Sequence, residues 1–305
     1  MPLGAHLPTS KGFPAAIEHA QTLGCDCLQI FSKSPRQWNA APLDIEKCAD
    51  FRSAWRDSGF APLVVHDSYL INLAAPDEAV RAKSIAAMID EVERADLLGA
   101  DFLVTHCGAF IDKTDGGEAR GLAQLSASLC EVLAATPEAK VRIALENTAA
   151  QGTCLGGPWE HIAEVLELLD TPRLAVCFDT CHAFAAGHQL STVEIDRTLQ
   201  AFDAAIGLKN LAVVHLNDSK GACGGHLDRH AHIGEGEIGR EAMRAILTHP
   251  GLRDKPFILE TPDLETNIGR NLNTVRLLRD EALVGEDEPF SETNPPSPPL
   301  AKKIK

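Results

Sequence analysis

Five short apolar runs in this chain end in a side chain that can bind a cation or move a proton: Val65-His66, Thr105-His106, Leu145-Glu146, Phe178-Asp179 and Leu259-Glu260. A sixth run carries His215 one residue before its expected end at Leu216. One histidine at the end of a strand is commonly a hydrogen-bonded structural residue, but six imidazoles and carboxylates at the same phase of successive units form a set. Carboxylates gathered in a low-dielectric interior repel one another and lose hydration, so the set calls for cations among them. Imidazole mixed with carboxylate and without thiolate points to zinc, manganese or iron over magnesium or calcium, and the histidine share favours zinc. Two local stretches add donors. Asp179-Thr180-Cys181-His182 sets a carboxylate and an imidazole three residues apart, and Asp228-Arg229-His230 alternates the two within a long, glycine-rich segment from Asn217 to Glu237. Long segments of that kind are usually functional or disordered, and the Asp and His content favours function. His188, His226 and His232 have no comparable placement and read as exposed or as neighbours of the site.

The elements that must position these groups follow from the pattern between them. Apolar runs ending near His6, Ile30, His66, His106, Glu146, Asp179, Leu216 and Glu260 alternate with segments of helical period, such as Ile85, Met88, Ile89 and Val92, or Leu122, Leu125, Leu129 and Val132. That alternation describes βα units around a parallel sheet, and eight of them describe an α/β (β/α)8 TIM barrel. In such a barrel the C-terminal strand ends share one mouth, so the six side chains would converge. A weak internal repeat agrees: Leu23-Gly24-Cys25-Asp26-Cys27-Leu28 parallels Leu98-Gly99-Ala100-Asp101-Phe102-Leu103, with glycine where a helix needs a left-handed residue before the next strand. The expected domain covers residues 1–283. Residues 284–305, rich in proline and acidic groups and ending Lys302-Lys303-Ile304-Lys305, read as a disordered tail.

With 305 residues and 45% hydrophobic composition, the chain can bury one large core. Nine scattered cysteines without a CxxC pair suit a reducing compartment better than a disulfide framework. The chain lacks an apolar run long enough to span a membrane, and its start lacks the pattern of a signal peptide. A cytoplasmic protein is expected, associated with the nucleoid in a bacterial cell or placed in the nucleus of a eukaryotic one. The formal net charge of −15 argues against a polyanionic partner unless positive charge is concentrated locally.

The longer motifs resemble those of the endonuclease IV family of apurinic/apyrimidinic endonucleases. They are Val65-His66-Asp67-Ser68-Tyr69-Leu70-Ile71-Asn72-Leu73, Ala144-Leu145-Glu146-Asn147-Thr148, Cys177-Phe178-Asp179-Thr180-Cys181-His182, His215-Leu216-Asn217-Asp218-Ser219-Lys220, Asp228-Arg229-His230 and Leu259-Glu260-Thr261-Pro262. The likeness runs from Gly4 to about Leu278. It implies a trinuclear zinc site, with Mn2+ as a substitute ion: His66, His106 and Glu146 at one ion, Glu146, Asp179, His215 and Glu260 at a second, and His182, Asp228 and His230 at the third. Three such ions would bring the charge to about −9 and concentrate what they add at one mouth. The resemblance also implies a monomer that hydrolyses the phosphodiester 5′ to an abasic site in duplex DNA. The products are a 3′-hydroxyl and a 5′-deoxyribose phosphate, and removal of 3′ blocking groups is a second expected activity. Glu146 and Glu260 would be the catalytic carboxylates, and Arg36, Tyr69 and Leu70 the DNA-contacting residues.

Three positions depart from the family pattern. Cys107 replaces a proline usual after the second ligand histidine, setting a thiol beside the expected mouth. Lys11-Gly12-Phe13 stands where the family has Gly-Gly, and Pro8 follows closely on His6. Two other readings compete. A metal-dependent sugar isomerase on a related barrel would not need His182, Asp228 and His230 or the Tyr69-Leu70 pair. A noncatalytic DNA-binding protein would be free to lose the ligands, all of which are present.

Overall fold

The structure is a computed structural model and describes residues 1–286. Eight strands, β1 (Leu3–His6), β2 (Cys27–Phe31), β3 (Leu63–His66), β4 (Phe102–His106), β5 (Arg142–Glu146), β6 (Leu174–Asp179), β7 (Leu211–His215) and β8 (Phe257–Leu259), pair in parallel and close into a barrel. The TIM barrel read from the sequence is therefore the fold. Around it lie α1 (Phe13–Thr22), α2 (Ile45–Ser58), α3 (Glu78–Leu98), α4 (Gly117–Ala135), α5 (Trp159–Leu169), α6 (Thr180–Ala186), α7 (Ile195–Ala205), α8 (Gly239–Thr248) and α9 (Leu264–Glu286). Among the described residues no helix is long and apolar enough to cross a membrane.

Successive strand residues face opposite sides, so every strand but β1 feeds two separate apolar regions. Cys27, Val64, Val104, Ala144, Ala175, Cys177, Val213 and Ile258 form a small inner cluster, while a larger cluster packs between strands and helices. The inner residues are mostly short, as a narrow lumen requires. Gly4 shows how close β1 and β2 come: a Cβ there would lie 2.1 Å from the Cys27 carbonyl oxygen.

The internal repeat has a structural reason. Gly24 and Gly99 both take left-handed backbone, with φ of +66° and +76°, and turn the chain from helix to strand. The aspartate that follows each glycine stitches the barrel: Asp26 accepts from the Leu3 amide at 3.0 Å and Asp101 from the Leu63 amide at 2.8 Å. Each carboxylate thus satisfies the first amide of a neighbouring strand.

Three strand ends shift by one residue from their expected places. β2 runs to Phe31, β7 stops at His215 itself, and β8 stops at Leu259, leaving Glu260 as the next residue. The Leu216 amide still bonds the Ile258 carbonyl, which is why apolar patterning carried the expected end of β7 too far. At the other end, α9 reaches Glu286, three residues into the stretch read as tail. The rest of that stretch lies outside the described residues.

Candidate metal centre

His66, His106, Glu146, Asp179 and His215 are the last residues of β3 to β7, and Glu260 follows β8 directly. His182 comes from α6, whose start is fixed by Asp179: its side chain accepts from the His182 amide at 2.7 Å as the N-cap. One aspartate therefore both faces the mouth and aims the helix that carries the next histidine. Asp228 and His230 come from the long loop, which is ordered from within. Asp218 accepts backbone amides from Ser219, Gly234, Gly236, Ile238 and Gly239, folding the segment around one buried carboxylate. A two-residue antiparallel ladder, Asp218–Ser219 with His230–Ala231, then presents His230 to the mouth.

The nine expected ligands converge. His66 Nε2 and His106 Nε2 each lie 3.3 Å from Glu146 Oε2. His215 Nδ1 lies 3.0 Å from Glu146 Oε1, 3.2 Å from Glu260 Oε2 and 4.0 Å from Asp179 Oδ2. His182 Nε2 and His230 Nε2 lie 3.3 and 3.7 Å from Asp228 Oδ1. Donor atoms of His66, His106 and Glu146, of Glu146, Asp179, His215 and Glu260, and of Asp179, His182 and His230 fall within 4.8 Å of one another in each set. Glu146 stands in two of these sets, and so does Asp179, which the sequence reading assigned to one.

The residues fit divalent ions on two structural grounds. Glu146 Oε2 and His230 Nε2 are buried without a hydrogen-bond partner, a costly state that a cation would relieve. The imidazoles also have their far nitrogens anchored: Nδ1 of His66, His182 and His230 contacts the carbonyls of Asp67, Asn147 and Glu260 at 3.1, 2.9 and 2.8 Å. A ring whose Nδ1–H is held by a carbonyl offers its Nε2 lone pair to the centre.

The same closeness sets the protonation of the protein's own groups. Burial alone would raise Glu146 and Glu260 and lower His66, His182 and His215, but their mutual pairing, with the Cys177 thiol beside His215, outweighs it. Glu146 and Glu260 are held well below the usual carboxylate range, His182 and His215 well above the usual imidazole value, and His66 is raised to about 9. Asp67, buried behind His66, is pushed up to about 7.

Two cavities open on the centre, of about 270 and 380 Å³, sharing Tyr69, His106, His182 and Asp228 as walls. Tyr69 is 59% exposed and meets Phe31 and His66 edge-on at 5.5 and 5.8 Å, so it stands at the rim. Leu70 beside it is half-buried, and Arg36 is exposed in the β2–α2 connection. The thiol flagged by the sequence turns out to face elsewhere. Cys107 is fully buried, its Sγ donates to the Glu146 carbonyl at 3.6 Å, and burial pushes its pKa up to about 12. The thiol that lines the smaller cavity is the half-buried Cys154.

Sequence reasoning passed over the side chains that hold the expected ligands. Asn217 donates to Asp179 Oδ2 at 2.7 Å and accepts from the Glu260 amide at 2.8 Å. Asn147 accepts from the Asp179 amide at 2.8 Å. Gln29 contacts His6, His215 and Glu260. The signal was present but faint: Asn147 directly follows an expected ligand, Asn217 comes two residues after one, and Gln29 interrupts an otherwise apolar strand.

Comparison with known proteins agrees with this geometry. A family model described as a xylose isomerase-like TIM barrel matches residues 17–279. A probable endonuclease 4 of Chloroflexus aurantiacus is 44% identical over 276 residues, covering 90% of this chain and 96% of that relative. The crystal structure of endonuclease IV from Thermus thermophilus superimposes with a TM-score of 0.82 at 36% identity, over 92% of this chain and 100% of that one. A D-tagatose 3-epimerase-like protein superimposes with a TM-score of 0.70 at 21% identity, over 94% and 99% of the two chains, a likeness of fold alone.

Proposed function

This chain belongs to the xylose isomerase-like TIM-barrel family and, within it, to the endonuclease 4 proteins, and from that premise we propose that it is a metal-dependent DNA-repair endonuclease that cleaves the phosphodiester 5′ to an abasic site. The observation that carries the reading is the convergence of nine imidazole and carboxylate groups at one barrel mouth, two of them with orphaned buried donor or acceptor atoms. Zinc is the ion proposed, with three ions held as the resemblance implies and Mn2+ as a substitute. Bound there, they would supply Lewis-acid charge to the phosphodiester and make water nucleophilic near neutral pH.

The protein's own groups account for the rest. Glu146 is the carboxylate shared between His66 and His106 on one side and His215 on the other, so it fixes the spacing of two ligand sets. Glu260 closes the second set. The four ligand carboxylates carry a formal charge of about −4, which three divalent ions would turn to about +2, and that local charge offsets the chain's −15 where a phosphate must bind. Arg36, Tyr69 and Leu70 are the proposed DNA contacts, with the exposed Tyr69 ring available to stack on or wedge beside a base. The monomer, the cytoplasmic site of action and the removal of 3′ blocking groups are part of the same proposal.

The direct test is a duplex carrying one abasic site, assayed before and after chelation beside a panel of aldoses. Metal-dependent nicking that leaves a 3′-hydroxyl is the expected result. Chelator-insensitive nicking, or turnover of a sugar without nicking, overturns the reading.

Two outcomes follow from the geometry. Replacing Tyr69 with Ala should cost about 1–3 kcal/mol of substrate stabilisation, roughly 5- to 150-fold in kcat/KM on the abasic duplex, with metal content unchanged. An unaltered kcat/KM removes Tyr69 from the substrate contact. The second outcome concerns protons. His66 is raised to about 9 in the ion-free protein, so it is protonated at pH 7, whereas a ligand imidazole must be neutral. Loading at pH 7 should release protons, and apparent metal affinity should rise as pH increases toward 9. Titration calorimetry in two buffers of different ionisation enthalpy reads the release; identical heats in both would contradict it.

A further inference from the structure

Beside Asn147 and Asn217, a third buried amide side chain at the barrel mouth belongs to no ligand set. Gln29 lies in β2, is fully buried, and reaches residues at the ends of β1 and β7 and the residue directly after β8. Its Nε2 donates to Glu260 Oε1 at 2.6 Å and lies 3.0 Å from His6 Nδ1, and its Oε1 lies 2.8 Å from His215 Nε2. The partners leave the amide one orientation. Reversed, it would set its carbonyl against the Glu260 carboxylate, so the nitrogen must face Glu260 and the oxygen must face His215.

That orientation decides two things at the centre. In the neutral ring that an ion requires, His215 Nε2 must keep its hydrogen to donate to Gln29, which leaves Nδ1 to give up its own, and Nδ1 is the atom facing Glu146 Oε1 and Glu260 Oε2. His66, His182 and His230 are held the opposite way, by Nδ1 against backbone carbonyls. The far nitrogen of His215 rests on the Gln29 side chain, so its ring orientation is exposed to a single substitution. The second consequence is for Glu260. Its Oε1 accepts from Gln29 at 2.6 Å and also lies 3.2 Å from His6 Nδ1, so Oε2 is the oxygen left for the centre.

We propose that Gln29 is a positioning residue for the proposed nuclease centre, selecting Nδ1 of His215 and Oε2 of Glu260 as the atoms offered to one ion. The proposal rests on the metal-dependent reading above. Removing an outer hydrogen-bonding partner of this kind costs about 10- to 100-fold in metal affinity.

The test uses full-length protein and needs no turnover. Zn2+ titration of chelator-treated wild type and Gln29→Met, which keeps the volume but neither donor nor acceptor, should show one binding step weakened roughly 10- to 100-fold and the others unchanged. Equal secondary structure by circular dichroism shows that the variant folds. Equal affinities for every ion in the folded variant overturn the proposal. A second measurement needs no variant: in Zn2+-loaded wild type labelled with 15N-histidine, His215 should show the Nε2-protonated tautomer, and the Nδ1-protonated form overturns the proposal. Wild type that binds no Zn2+ overturns the nuclease reading and this inference together. Wild type that binds and cleaves while Gln29→Met is indistinguishable from it overturns this inference alone.

Discussion

Replacing Glu146 with Gln lowers kcat/KM on an abasic duplex by about 10³-fold or more, the largest single-residue loss expected in the chain. The amide keeps the shape of the carboxylate but removes its charge. It also sets an N–H group where Oε2 now faces His66 Nε2 and His106 Nε2, or where Oε1 faces His215 Nδ1. Whichever way the amide turns, one of the two ligand sets loses an acceptor and gains a donor pointed at it. A centre that supplies several kcal/mol of charge stabilisation to a phosphodiester loses about 4 kcal/mol when one of its ions is lost or misplaced, which is about 10³ in rate. Single-turnover cleavage measured beside metal content checks the outcome. Wild-type cleavage by a variant with its full complement of ions would remove Glu146 from the chemistry.

The second large effect is on stability. Chelation lowers the melting temperature by about 10 °C or more while leaving the secondary structure in place. An ion bound at about 1,000 times its dissociation constant adds about 4 kcal/mol to the folded state. Each kcal/mol moves the midpoint of a domain of about this size by about 2–4 °C. The barrel itself persists because its inner and outer apolar clusters are complete without the centre, and because the freed imidazoles and carboxylates pair with one another. Scanning calorimetry with and without chelator, followed by restoration with Zn2+, measures the shift. A midpoint indifferent to chelator would mean that nothing in the folded centre holds an ion.

Much of this was legible before any coordinate was known, and the reasons are specific. His66, His106, Glu146 and Asp179 stand out because a parallel strand is an apolar run buried on both faces, so a charged residue at its end marks the end. Eight such runs at helical intervals specify the barrel, and the barrel specifies that the ends meet. Asp228 and His230 were legible as donors by composition, but their placement depends on Asp218 gathering five backbone amides, which no local pattern announces.

Other features were decided by packing across the barrel. Cys107 and Cys154 are both thiols near ligand strands, and only the tertiary structure turns the first against the Glu146 backbone and the second toward the cavity. Gln29 reads as an oddity in an apolar strand until His215, 186 residues away in sequence, is brought to 2.8 Å. The sequence by itself determined the residue types that can bind a cation and the phase that brings them to one mouth, because strand periodicity and side-chain chemistry are local properties. The tertiary structure alone decided which of those groups share a space, which nitrogen of each imidazole faces it, and which residues hold them there. Those are distances of a few ångströms between strands far apart in the chain, fixed only when the barrel closes.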